Sequence, residues 1–393
     1  MSTKPRPLDG VRVLDLSEVV AGPIVGRILT DLGADVIKLE RPSGDTTRIV
    51  APEINGQSVY FTQLNAGKRN ICLDIRRPEA AALVAQLAVR ADVLVENFRP
   101  GVLDKRGLGP RELRGRNPRL IYCSISGWGQ SGPCAQRRAY APLIHAETGL
   151  LELSARLRRR PPEQEVHVHA DLNTGFFALS AILAALYQRF VTGEGQHLDI
   201  AMAEVSAYTD DWAAVDCVGA EADRFFDIWN HPVVRLGDGT YATLVGNRSR
   251  MLERFIDAMG GDSAAISRDH RLADYESRES HRALVDETLQ EQASTVANFA
   301  DLEARFSADG LMTAALRSVA ELSTTPWAVD RDAFREVEPG VRVPVAPWRS
   351  DGATIGVRGT ASRRGADTEA VLREVLDLDD DEIERLRAAH ICE

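Results

Sequence analysis

Cysteine is scarce in this chain. Its five residues, Cys72, Cys123, Cys134, Cys217 and Cys392, are odd in number and nowhere spaced C-x-x-C. Such a set encodes neither a disulfide framework nor a zinc ribbon, and it reads as belonging to a reducing compartment. Excess positive charge is missing too. A net charge of −11 over 393 residues argues against a general binder of nucleic acid or of a membrane surface. No apolar signal core follows Met1, and the longest apolar run, Phe176 to Tyr187, is too short for a bilayer span. The expectation is a cytoplasmic protein with no nucleic-acid and no membrane partner. Two catalytic fingerprints are also absent. The first strand-to-helix turn, Ala21-Gly22-Pro23-Ile24-Val25-Gly26, lacks the G-x-G-x-x-G of a dinucleotide site, although Glu40 stands where a ribose ligand would. No G-x-S-x-G elbow occurs, so a Ser-His-Asp hydrolase is not encoded.

What is present is an ordinary globular composition, 44% hydrophobic and 27% charged, in a chain long enough for two domains. Strand and helix patterns alternate: Val11 to Leu16, a helix from Pro23 to Leu32, Val36 to Leu39, Asn70 to Ile75, a helix from Pro78 to Arg90, Val93 to Asn97 and Leu120 to Ile125. A helix after Asp171 then leads into His197 to Met202. This alternation predicts an α/β body with a parallel sheet covered by helices. Past residue 220 the pattern changes to a turn at Gly237-Asp238-Gly239, a strand from Tyr241 to Val245 and helices from Met251 to Ala308, as in a smaller domain. Pro339, Pro344 and Pro347 predict an extended connector over Glu338 to Trp348, and Thr368 to Ala389 reads as one amphipathic helix capped by Asp367.

Asp171 precedes the apolar helix in the segment His169-Ala170-Asp171-Leu172-Asn173-Thr174-Gly175. A carboxylate there faces the positive end of the helix dipole and unpaired N–H donors, so it is expected to stay ionised, either as a helix cap or as a nucleophile. His167 and His169 alternate along a possible strand without a third metal ligand. Cations follow the strand or loop ends, namely Arg41, Arg48, Lys68, Arg69, Lys105 and Arg106, and together they suit a phosphate-bearing ligand. The run from Arg156 to Arg160 is read as a solvated loop.

Five ordered segments, Pro7 to Pro23, Leu32 to Arg48, Leu64 to Ile75, Asp92 to Gly109 and His169 to Gly175, together with Thr192 to Met202, resemble the family III CoA-transferases. That group includes formyl-CoA transferase and carnitine CoA-transferase and is related to the α-methylacyl-CoA racemases. The resemblance implies a CoA-transferase in which Asp171 attacks an acyl-CoA, forming a mixed anhydride and then an aspartyl-CoA thioester that a carboxylic acid acceptor resolves. It places Val19, Arg41, Asn97, Phe98, Lys105 and Arg106 at CoA, which is a substrate here, with no tightly bound cofactor and no metal. It further implies a Rossmann-like large domain over 1–220, a small α+β domain over 221–335, a returning linker and terminal helix over 336–393, and an interlocked homodimer.

The chain also departs from its relatives. Val20 stands in place of the glutamine of formyl-CoA transferase, and the glycine-rich loop of that enzyme has no counterpart around Trp229 to Gly239, so oxalate and formate are not implied as substrates. Tyr140, Ala141 and Arg248 occupy the acid–base positions of the racemases; His145 is the candidate substitute, but it reads rather as a polar residue packed behind the site. The alternatives to transfer are an acyl-CoA racemase or isomerase of the same fold and a non-catalytic CoA-binding homologue.

Overall fold

The computed structural model describes residues 4–158, 160–219 and 231–392. Arg159 of the basic run and residues 229–230 of the stretch that lacks the glycine-rich loop therefore lie outside the described residues, while Arg156 and Arg158 end a helix, Leu150–Arg158, rather than lying in the expected loop. The chain divides into two compact units, one formed by Met1–Ala213 with Pro326–Glu393 and the other by Ala214–Thr325.

The first unit is built on six strands: β1 (Arg12–Asp15), β2 (Asp35–Glu40), β3 (Arg69–Cys72), β4 (Val93–Glu96), β5 (Ile121–Ser126) and β6 (His197–Ala201). All pairings are parallel and the order is β3-β2-β1-β4-β5-β6. Side chains alternate between the two sheet faces, so Leu14, Ile37 and Ile71 enter one core while Val13, Val36 and Val93 enter the other. The first core is covered by a helix over Pro78–Val89 and by Val371, Leu372 and Val375 of a C-terminal helix. The second is covered by α1 (Ala21–Asp31) and by a 24-residue helix, His169–Thr192. Chain order reverses between β1 and β4, and ligands of open parallel sheets bind outside the strand ends at such a switch point.

Several boundaries differ from the sequence expectation. The long helix begins at His169, ahead of Asp171 rather than after it, and runs to Thr192, so it is long and apolar enough to cross a membrane by length and composition alone. Its buried side, including Gly175, Ala178 and Ile182, joins the core beneath the sheet. The proline-rich connector closes into an antiparallel hairpin, Phe334–Glu338 with Val341–Pro344, because Gly340 takes a left-handed φ of 80° at the turn. The expected terminal helix is two helices, Thr368–Leu376 and Asp380–Ala388. Asp377 turns left-handed after the first, and Asp379 opens the second with a capping box. Asp367 is the N-cap residue as expected, but its side chain makes no capping bond; its carboxylate accepts the Asn70 N–H of β3 at 2.7 Å instead.

The second unit has a three-stranded antiparallel sheet, Val233–Arg235, Tyr241–Leu244 and Thr313–Ala315, with helices over Arg248–Ala258, Arg282–Ser294 and Phe299–Ala308. Phe255 and Phe306 stack at 5.9 Å in its core.

Candidate active site

The loops that leave β1 and β4 meet at the switch point, and each is held there by the other. Asn97 accepts the Glu18 N–H at 2.9 Å and donates to the Glu18 carbonyl at 2.8 Å. Both sides of one peptide residue are thus tied to one amide side chain. Below the loop, Lys38 donates to the Ser17 carbonyl at 2.7 Å and pairs with Asp45 at 3.1 Å, while Lys68 reaches Asp15 at 2.8 Å. Between these anchors Val19 sits at φ 71°. A β-branched residue in the left-handed region costs on the order of 1–3 kcal/mol, which the surrounding bonds must sustain.

A cavity of about 250 Å³ opens above these loops and is lined by Glu18, Val19, Asn97, Phe98, Tyr140 and Asp171 among others. Asp171 lies in the first turn of the long helix, after the N-cap Val168, so it is not the cap that the sequence pattern allowed. Its carboxylate accepts the Ala141 N–H at the start of the helix Ala141–Glu147 and bonds its own N–H, while burial outweighs both and pushes it up to about 6. At neutral pH the group is therefore mostly ionised and poorly hydrated, as an effective carboxylate nucleophile has to be.

The helix start is capped from outside. His145 is buried and its Nε2 accepts the Ala170 N–H at 3.0 Å. Burial, with the nearby His169, holds the imidazole below its usual pKa, in the neutral form that can accept. The expected histidine strand does not form, since His169 is the first helical residue.

Of the residues placed at CoA from sequence, Val19, Asn97 and Phe98 share the cavity with Asp171. Arg41 stands beside it, 3.5 Å from Glu18 of the cavity wall. Lys105 and Arg106 lie on a short turn, Asp104–Arg106, and are not among the lining residues. Three other cations gathered from the sequence serve the scaffold: Arg48 binds Glu40 at 2.7 Å, Lys68 binds Asp15, and Arg69 binds Asp35 and Glu374. Glu40 is buried in that network and is no ribose ligand. Sequence reading missed Arg99, Arg137 and Arg138, which line the cavity. Arg99 follows Phe98 directly and the arginine pair follows β5, so the strand-end rule that gathered the other cations also covers them. It also missed Tyr60, whose phenol is raised by burial and by the charge of Asp171. Arg248 belongs to the second unit and pairs with Asp286.

Residues 8–368 match the model of CoA-transferase family III. A succinate–glutarate CoA-transferase from Agrobacterium fabrum is 33% identical over 88% of this chain and 90% of its own. A succinyl-CoA–D-citramalate CoA-transferase from Chloroflexus aurantiacus is 30% identical over 98% of each. Among solved structures, a CaiB/BaiF family protein from Brucella suis superposes with a TM-score of 0.83 at 31% identity, covering 95% of this chain and 100% of that one.

Proposed function

The chain belongs to CoA-transferase family III, and from that premise we propose that it moves CoA between carboxylic acids by covalent chemistry on Asp171. An Asp171 oxygen attacks the thioester carbonyl, the C–S bond breaks, and CoA leaves as a thiolate from a mixed anhydride. The thiolate then attacks the aspartyl carbonyl and releases the donor acid, leaving an aspartyl-CoA thioester. An acceptor carboxylate attacks that thioester to form a second anhydride, and the returning thiolate takes the acceptor acyl group and frees Asp171. Each exchange conserves one activated acyl bond, so no external energy or cofactor enters.

The observation that carries this reading is the single cavity holding Asp171 with Val19, Asn97 and Phe98 at the switch point of the sheet. The N–H of Ala141 orients the carboxylate for attack. Arg41, Lys105 and Arg106 are assigned to the phosphates of CoA. In this reading the domain expected over 1–220 carries CoA and the nucleophile. A cytoplasmic homodimer is part of the same proposal. The outer side of the long helix, with Phe176, Leu183, Tyr187, Phe190 and Val191 exposed, supports an apolar contact with a second copy. The test is incubation with a panel of acyl-CoAs and carboxylic acids, with mass analysis of both CoA products and protein. The expected result is a CoA adduct on the peptide containing Asp171, lost together with turnover in Asp171→Ala and Asp171→Asn. Full turnover in Asp171→Ala would sink the mechanism.

A further inference from the structure

Beneath the cavity the sheet carries a row of polar side chains that the covalent chemistry does not use. Glu96, the last residue of β4, is 4% exposed, and its Oε2 accepts the Phe98 N–H at 2.8 Å. Ser124 of β5 is its neighbour in the parallel register and hydrogen-bonds to the same carboxyl. The Ser124 Oγ lies 3.0 Å from Nε2 of His197, the first residue of β6. His197 in turn lines a second, separate cleft of about 490 Å³ with Arg111 and Arg114. A continuous chain of hydrogen bonds therefore runs from the loop of Phe98, through Glu96 and Ser124, to a half-buried imidazole that lines the second cleft.

We propose that Glu96 is a positioning residue for CoA: it fixes Phe98 in the cavity wall, and through Ser124 its protonation state is shared with His197. The inference rests on the cavity being the CoA site. The serine hydroxyl has one proton, and that fixes the logic of the chain. With the carboxyl protonated, Glu96 donates to Ser124 and Ser124 donates to Nε2, leaving the imidazole proton on Nδ1. With the carboxylate ionised, Ser124 donates to Glu96 and Nε2–H donates to Ser124. In the ionised state the bond from the Phe98 N–H becomes charge-assisted, and the turn that presents Asn97 and Phe98 tightens.

The surroundings set where this occurs. Burial first, and the charges of Asp104 and Asp199 after it, push Glu96 up to about 7 against the bonds from Ser124 and Phe98. Burial lowers His197, with Arg114 acting in the same direction and Asp199 and Asp104 opposing. The phenol of Tyr122, on the same strand as Ser124, is raised by burial and by Glu96 and stays neutral, so it takes no part in the exchange. The carboxyl thus titrates near neutrality, at the wall of a site read as binding CoA.

The test is calorimetric affinity for CoA at about pH 6 and about pH 8 in the wild type, Glu96→Gln, Glu96→Ala and Ser124→Ala, with NMR of the His197 ring in the free protein. Glutamine keeps an acceptor for Phe98 and a donor for Ser124 but cannot ionise. Relative to Glu96→Gln, the wild type is expected to gain about fivefold in affinity over this pH range, the difference between a neutral and a charge-assisted bond. Glu96→Ala is expected to raise KM for acyl-CoA more than it lowers kcat. The His197 resonances are expected to follow the Glu96 titration in the wild type and to lose that step in Glu96→Gln and in Ser124→Ala. Equal pH slopes in wild type and Glu96→Gln, or a His197 titration unchanged by both variants, would overturn the proposal, and neither reading needs Glu96→Ala to fold. Absence of CoA binding in the wild type at either pH would instead defeat the reading of the cavity, while the His197 titration still decides the chain.

Discussion

His145 Nε2 lies 3.0 Å from the Ala170 nitrogen, one residue before Asp171, so a side chain from a neighbouring helix supplies the cap that Val168 does not. The lone pair that could have served as a base is already occupied. Truncation in His145→Ala leaves a buried N–H unpaired, which costs about 1–3 kcal/mol, and loosens the turn that aims Asp171. Denaturant titration is expected to show that loss together with reduced turnover. The folded state holds this imidazole below its usual pKa, so its contribution is complete above about 6.5 and is lost as pH falls through the lower folded value. The variant is expected to lose that part of the acid sensitivity.

The pH dependence of turnover has its own source. Asp171 must be ionised to attack, and burial places it at about 6. kcat/KM for acyl-CoA is expected to rise with an apparent pKa near that value and to level off above neutrality. The sign for stability is opposite. A carboxyl raised above its unfolded value of 3.8 favours the fold at low pH, and that contribution is lost as pH rises through about 6. Acid inactivation between neutrality and this range is therefore expected without unfolding from this group, and circular dichroism at each pH separates the two.

Arg41, Lys105 and Arg106 differ in setting, and their variants test the proposed contacts separately. Each change to alanine is expected to weaken CoA binding by about tenfold or more, and to flatten its salt dependence, with the fold intact. Calorimetry at two ionic strengths provides the check. Unchanged affinity in all three would remove the phosphate assignment and turn attention to Arg99, Arg137 and Arg138 of the cavity wall.

The racemase alternative makes a different demand. Two-base exchange needs an acid and a base on opposite sides of the α-carbon. Tyr140 is exposed at the cavity, Ala141 has no titratable side chain, and Arg248 is paired with Asp286. Little enzyme-dependent α-deuteration is expected when a 2-methylacyl-CoA is incubated in deuterated water, while CoA moves to an added carboxylic acid. Rapid deuteration with no transfer would reverse the order of these readings.

The alternation of strands and helices was readable from residue order because buried parallel strands are short apolar runs and the covering helices repeat every 3.6 residues. The order of the strands was not, since β1 meets β4 across 77 intervening residues, from Leu16 to Asp92. Charge was the least legible property. Lys68 and Arg48 looked alike as cations near strand ends, yet each is consumed by a carboxylate on another element, Asp15 and Glu40. Local pattern also misplaced the start of the long helix, because its first turn is polar and is held by His145, 25 positions upstream. The capping box at Asp379 and the left-handed Asp377 were signals for the break in the terminal helix that amphipathic periodicity masked.

The helix His169–Thr192 works as a strut of fixed length. At its far end Arg189 is buried and tied to the Asp92 and Arg119 carbonyls at 3.3 and 3.1 Å and to the Asp92 carboxylate at 3.0 Å. At its near end it is tied to His145. Inserting or deleting one residue between those ties turns everything beyond it by about 100° and moves it by about 1.5 Å along the axis. If the Arg189 ties hold, Asp171 turns away from the cavity and its turn loses the bond to His145, while the sheet stays intact. New substrate preferences can therefore arise by exchanging wall residues, but not by changing the number of residues in this helix.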